Sequence, residues 1–268
     1  MPTAITGSSI LRPDETLHVL VPSSALVEAV EAVSPRVRGH RMDPEDGPPE
    51  GEARGAHTPA TAEWAVTATL AAQRDLPAFI RQQDERRWVA RPARSLIGAR
   101  VLVIGAGDIG RAIGRMLAGF DVELTYVART PREGVHGPDE LPSLLPTADV
   151  VILVVPVTPE TRGMVDADFL ATMKDGALLV NAARGVIVDT DALLAELTSG
   201  RLRAALDVTD PEPLPEGHPL WSAPNLLLTP HAAAGARPDT SARATAAVTD
   251  QLRRILAGEP LANVVHAY

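Results

Sequence analysis

Two sets of residues have the types and spacing to do chemistry. The first is Gly105-Ala106-Gly107-Asp108-Ile109-Gly110, which follows the apolar run Val101–Ile104 and opens a helical stretch. Glycines at this spacing suit a tight turn at Gly105, close backbone approach to a ligand at Gly107 and close helix–strand packing at Gly110. The free N–H groups and positive dipole end of the helix that begins there attract a pyrophosphate. The second set is Arg184, Glu212 and His231, each just beyond an apolar run in the second half of the chain. A histidine can give a proton to a developing alkoxide, a carboxylate beside it orients the ring, and an arginine can hold a substrate carboxylate and polarise its carbonyl. Together they suit hydride transfer to a ketone. Singly, Arg184 or Glu212 reads as a solvated surface charge and His231 as a structural histidine; placement after successive strands is what joins them.

The elements that must position these groups can be read from the pattern. Val101–Ile104, Val122–Val127, Val150–Val154, Ala177–Val180, Ala204–Leu206 and Leu226–Leu228 are short apolar runs, the expected form of strands covered on both faces. Helices alternate with them: Ile109–Ala118 follows the glycines, Asp166 and Asp189 stand where N-caps belong, and Gly200 where a C-cap glycine belongs. This alternation predicts an α/β fold, a Rossmann-type doubly wound parallel sheet whose carboxyl strand ends gather the three polar residues. Upstream, Leu17–Val21 reads as a strand and Ala25–Val33 as a helix capped by Ser23 or Ser24. Met1–Glu15 reads as a loose tail, and Asp43–Ala56, dense in Pro, Gly and acids, as a loop or linker. Thr61–Arg81 has helical periodicity, with Pro77 marking either a kink or an early end, and Arg91–Leu96 is a basic connector. Asp239–Ala257 is a final amphipathic helix ended by Gly258. Residues 91–239 thus form a dinucleotide-binding domain, and 1–90 with 240–268 a small, truncated second lobe with linking helices.

Composition narrows the function. The 268 residues carry a net charge of −9, a poor match to a phosphate backbone, so no nucleic-acid partner is expected. No apolar stretch reaches the roughly 20 residues needed to cross a bilayer, and the N-terminus lacks the pattern of a signal peptide. The expectation is a cytoplasmic protein with no membrane partner. With no cysteine there are no disulfides, thiolate metal ligands or cysteine nucleophile. Only 3% of residues are aromatic, so the core must be built from Ala, Leu, Val and Ile.

The second strand of the domain ends at Val127-Ala128-Arg129-Thr130. NAD-specific sites carry an acidic residue about 20 positions beyond the glycines to bind the ribose 2′-hydroxyl. Here Arg129 stands near that place with no acid adjacent, and an arginine can pair with a 2′-phosphate. NADP(H) is therefore the expected cofactor, with NAD(H) possible; the alternative for Arg129 is a solvated surface charge. Asp108 puts a negative charge beside the loop, or else caps the helix; the two roles are not easily combined.

On these motifs the chain resembles the D-isomer-specific 2-hydroxyacid dehydrogenase family. The matching segments are Gly105–Gly110, Pro156–Gly163, Asn181–Gly185, Leu206–Pro215, Thr229–His231 and the closing Gly258–Leu261. The resemblance covers roughly residues 57–265. It implies a 2-oxo or 2-hydroxy acid or a related carbonyl compound as the small-molecule substrate, His231 as the acid/base, Glu212 as its partner and Arg184 as the substrate-binding arginine. It also implies that Ala182 and Asp207 lie near the nicotinamide, that Val155, Pro156 and Thr161 lie near the cofactor's sugars, and that the chain forms a homodimer through the cofactor domain and its flanking helix. The stretch before the linking helix is shorter than the family pattern. No equivalent of the family's glycine-containing loop for the substrate carboxylate is found; the acidic segment Asp43–Glu52 stands in its place. That departure leaves a second reading open, a cofactor-binding sensor or assembly partner that has lost efficient catalysis.

Overall fold

The computed structural model describes residues 16–21, 24–41, 57–234 and 238–259. The chain divides into two compact units, Met1–His57 with Ala236–Tyr268, and Thr58–Gly235. In the smaller unit, strand β1 (Leu17–Val21) leads to helix α1 (Ser24–Glu31) and strand β2 (Val37–Arg41). The strands pair in parallel, with Leu17 opposite Val37 and Val21 opposite Arg41. β2 was not expected, because Val37-Arg38-Gly39-His40-Arg41 has a single large apolar residue and no hydrophobic run. Its glycine explains the packing: a Cβ at Gly39 would stand 2.8 Å from Val30 Cγ2 of α1. Leu17, Val21, Leu26, Val30, Val37 and Leu252 make the core of this unit. The expected tail Met1–Glu15, the linker Asp43–Ala56 and Ser23 lie outside the described residues.

The larger unit opens with two helices, α2 (Thr58–Gln73) and α3 (Leu76–Asp84), where the periodicity suggested one. The break falls at Asp75, whose φ of +54° is left-handed, and Pro77 then occupies the first turn of α3. A proline lacks the N–H that a helix interior needs, but a first turn does not use it. Both helices belong with the sheet unit. α2 turns Ala62, Ala65, Val66 and Ala68 inward, the small side chains that a sequence poor in aromatics supplies for close packing.

The rest of the unit alternates strand and helix: β3 (Arg100–Ile104), α4 (Asp108–Leu117), β4 (Glu123–Val127), a short α5 (Leu141–Leu144), β5 (Val150–Leu153), α6 (Ala167–Thr172), β6 (Leu178–Asn181), α7 (Thr190–Ser199), β7 (Arg203–Leu206) and β8 (Leu226–Leu228). The six strands β3–β8 form one parallel sheet in the order β4-β3-β5-β6-β7-β8. Alternate residues of each strand feed two cores, as a period of two requires. Leu102, Ile104, Val151, Leu153 and Leu179 pack on one face. Val101, Val103, Val150, Ile152 and Val180 pack on the other with α2 and α4. The expected caps are in place: Asp166 accepts from Phe169 N at 2.9 Å, Asp189 accepts from Ala192 N at 3.0 Å, and Gly200 closes α7 at φ +76°.

The C-terminal helix α8 (Pro238–Ala257) completes the smaller unit, with Leu252 in its core and Gly258 following at φ +69°. No helix among the described residues is long and apolar enough to cross a membrane.

Candidate active site

The strand order makes a switch point. The chain leaves β3 toward β4 on one side and returns to β5 on the other, so a crevice opens beyond the carboxyl ends of β3 and β5. Gly105 sits there at φ +121°, and a Cβ on it would strike the Val154 carbonyl oxygen. Its N–H donates to Val127 O at 2.8 Å, and Val154 N donates to Ile104 O at 2.9 Å, tying the three strand ends together. A Cβ on Gly110 would strike the Gly105 carbonyl oxygen and come within 3.3 Å of Val103 Cγ1. At Gly107, by contrast, no atom of the described residues beyond its own chain neighbours lies within 4 Å of the Cβ position.

Gly107 is the N-cap of α4, with extended backbone and no side-chain cap hydrogen bond. Asp108 is the first helical residue and is exposed, so it does not cap the helix as one alternative had it. The first-turn N–H groups therefore face the open side of Gly107 without an intrahelical or side-chain acceptor. An uncapped helix end beside a backbone surface with no side chain fits a pyrophosphate; Ile109 follows on the half-buried side of the same turn.

Two loops border this crevice. After β4, Arg129 and Thr130 are exposed, and Arg132 folds back: its guanidinium donates to Ala106 O at 3.0 Å and to Thr130 O at 3.3 Å. Arg132 was missed in the sequence because only this backward contact distinguishes it from its neighbours. After β5, Val155, Pro156 and Thr161 belong to a self-closed loop. The Thr161 hydroxyl donates to Pro156 O at 2.7 Å and accepts from Thr158 N at 2.8 Å. In that loop the Glu160 carboxyl is held below the usual carboxylate range by hydrogen bonds from the Thr158 side chain and its own backbone, with Arg129's positive charge adding to them.

Arg184, Glu212 and His231 follow β6, β7 and β8, three neighbouring strands of the sheet. Buried Asn181, at the end of β6, shapes the Arg184 turn: its side chain donates to Arg184 O at 3.0 Å and accepts from Ala183 N at 3.0 Å. The exposed Arg184 donates to Ala183 O at 2.7 Å. Beside it Ala182, half-buried, donates its N–H to Leu153 O at 3.2 Å. Gly185 is where this turn meets the next. A Cβ there would strike the Thr209 carbonyl and stand 2.6 Å from Asp210 N.

His231 Nδ1 lies 2.6 Å from Glu212 Oε1, with both side chains about two-fifths exposed at 42% and 40%. The pair is thus formed and open to solvent. His231 has a φ of +50°, and its N–H donates to Asp207 O at 2.7 Å. Asp207, at the end of β7, is only 2% exposed. Its carboxylate accepts from the Thr229 hydroxyl at 2.5 Å and from Ala232 N and Ala233 N, each at 2.8 Å. Neither Thr229 nor Asn181 was singled out from the sequence, since a lone Thr or Asn gives no signal until its partner is known.

A family model described as "D-isomer specific 2-hydroxyacid dehydrogenase, NAD binding domain" matches residues 66–233. The glyoxylate/hydroxypyruvate reductase A of Photorhabdus laumondii is 34% identical over 209 residues, 76% of this chain and 66% of that protein. The human glyoxylate reductase/hydroxypyruvate reductase is 38% identical over 186 residues, 65% of this chain and 57% of that protein. The chain thus spans less than two thirds of the length of these curated relatives. A crystal structure of a D-isomer-specific 2-hydroxyacid dehydrogenase from Xanthobacter autotrophicus Py2, in complex with NADPH and MES, superposes with a TM-score of 0.79 at 32% identity, covering 94% of this chain and 98% of that one.

The glycines separate folding from binding. Gly185→Ala should lower the unfolding free energy by about 1–3 kcal/mol in a urea titration, as overpacking does. Gly107→Ala should cost at most about 1 kcal/mol, yet weaken dinucleotide binding about tenfold in a fluorescence titration by obstructing the approach to the helix end.

Proposed function

The chain belongs to the D-isomer-specific 2-hydroxyacid dehydrogenase family, and on that premise we propose that it reduces a small 2-oxo acid to the 2-hydroxy acid with a nicotinamide cofactor. The observation that carries this reading is the 2.6 Å contact between His231 Nδ1 and Glu212 Oε1. With Nδ1 committed to the carboxylate, Nε2 is the ring atom left to give its proton to the substrate oxygen, and Glu212 stabilises the imidazolium before transfer and orients the ring. Arg184 holds the substrate carboxylate and polarises the adjacent carbonyl. The glycine loop, with Gly105, Gly107 and Gly110, would hold the cofactor's pyrophosphate; Val155, Pro156 and Thr161 border its sugars, and Ala182 stands at the nicotinamide end. When bound, the cofactor supplies the hydride. The names of the two reductases make glyoxylate and hydroxypyruvate the first substrates to try. The intact pair, with Arg184 after the strand beside β7, speaks against the sensor reading.

The wild-type protein should consume NADPH in the presence of glyoxylate or hydroxypyruvate. His231→Ala should lower kcat/KM about a hundred- to ten-thousand-fold, the usual range for losing a general acid. Cofactor binding with no turnover on glyoxylate, hydroxypyruvate or pyruvate would defeat the proposal.

The cofactor reading is NADP(H) before NAD(H). Support comes from Arg129, which stands past the end of β4, and from Arg132, whose guanidinium reaches the glycine loop at Ala106 O; both are candidates to meet a ribose 2′-phosphate. Such a group is the only difference between the two cofactors. Arg129→Ala should weaken NADPH binding about tenfold, a loss of about 1.4 kcal/mol, and leave NADH binding unchanged. Equal wild-type affinity for both cofactors would sink the preference.

A homodimer completes the reading. Leu76 and Ile80 lie one turn apart on α3, and Trp88, Val89 and Ile97 follow it; all five are exposed and Trp88 fully so. Exposed apolar groups in one stretch of chain are candidates for an association surface, and this stretch leads into the cofactor domain. Ile80→Glu should convert the dimer to monomer in light scattering; an unchanged mass, or a monomeric wild type, would refute the interface.

A further inference from the structure

Proton transfer as drawn above leaves the Asp207 carboxylate without a task, yet it is the most completely surrounded acid at the site. Oδ1 accepts from the Thr229 hydroxyl and Ala232 N, and Oδ2 accepts from Ala233 N. Its carbonyl oxygen takes the N–H of His231. Every one of these donors belongs to the turn Thr229–Ala233, and His231 is the centre of that turn. The histidine is held at φ +50°, a sparsely populated conformation for a residue with a Cβ, which persists only where the surroundings over-determine it.

Asp207 also begins the segment that carries Glu212. That segment is fixed independently: Thr190 Oγ1 donates to Asp210 O at 2.9 Å, Thr209 Oγ1 donates to Pro211 O at 2.9 Å, and Gly185 lies against Thr209 and Asp210. The partner acid is therefore set by β7 and its neighbours, whereas the histidine is set by what grips its turn. A carboxylate has about four acceptor sites, and here three are taken by this turn.

We propose that Asp207 is a positioning residue: its carboxylate fixes the Thr229–Ala233 turn so that His231 Nδ1 meets Glu212. This rests on the reading of His231 as the proton donor. It gives Asp207 a different task from contact with the nicotinamide, because its effect passes through the histidine.

Asp207→Asn keeps the shape but turns one acceptor into a donor facing a donor. With NADPH and glyoxylate or hydroxypyruvate, kcat should fall about a hundredfold, the effect of a misplaced catalytic group. The KM for the oxo acid and the Kd for NADPH should change less than about threefold, since uniform binding is untouched. Thr229→Val removes one donor with little change of shape and should lower kcat about tenfold with the same pattern; it decides the matter if Asp207→Asn does not fold. A second readout needs no turnover. Nuclear magnetic resonance of the histidine ring nitrogens should show the shared Nδ1 proton of His231 in the wild type and its loss in Asp207→Asn, Thr229→Val and the control Glu212→Gln. If the wild type reduces none of the acids, the proposed activity fails while this signal still decides the positioning role. Retention of kcat and of the shared-proton signal in the Asp207 and Thr229 variants, with a Kd for NADPH raised by the factor lost from kcat/KM, would overturn the inference and make Asp207 a cofactor ligand.

Discussion

A carboxylate taken out of water costs several kcal/mol unless donors replace the solvent around both oxygens. Asp207 is 2% exposed and meets that demand with a hydroxyl and two backbone N–H groups drawn from residues 22 to 26 positions later in the chain. The two loops that leave β7 and β8 are therefore locked to each other at their base, while the His231–Glu212 pair at their tips remains about two-fifths exposed. Rigidity below and access above suit the proton donor proposed for His231: the ring must not wander, yet a substrate must reach it.

The second constraint is crowding at the carboxyl ends of parallel strands. Each chain leaving the sheet must pass its neighbour within van der Waals distance, and three glycines mark where backbone meets backbone: Gly105 against Val154, Gly110 against Gly105, and Gly185 against Thr209. Gly107 belongs to another category, because nothing among the described residues occupies the space a side chain would take. The same motif thus holds glycines required by folding and one whose freedom is turned outward. The open glycine lies at the uncapped start of α4, where two favourable effects for an anion coincide, the unpaired N–H groups and the helix dipole.

Much of this was legible because the signals are local. A strand covered on both faces reads as an apolar run, and all six strands of the sheet were located within a residue or so. Caps act over three residues, so Asp166, Asp189 and Gly200 could be placed directly. The glycine loop is a single short segment between a strand and a helix. Less local features escaped. β2 owes its existence to pairing with β1 and to the space Gly39 leaves for Val30, and its own residues carry no strand pattern. The helical pattern at 61–81, in which Pro77 marks a kink or an early end, breaks two residues before that proline, at the left-handed Asp75.

At the site the division is the same. The sequence by itself determined which chemical groups stand after which strands: a glycine loop after β3, and Arg184, Glu212 and His231 after β6, β7 and β8. It did so because strand boundaries and side-chain identity are properties of a few neighbouring residues. Only the tertiary structure decided that His231 and Glu212 form a hydrogen-bonded pair, that Arg132 turns back to Ala106, that Asp108 begins its helix without capping it, and that Asp207 grips the histidine's turn. The contacts among these depend on a partner brought near by sheet order and loop packing, and a contact between groups 19 to 26 residues apart leaves no periodicity to read; Asp108 is the local exception, since its place relative to the cap is set by where the helix begins.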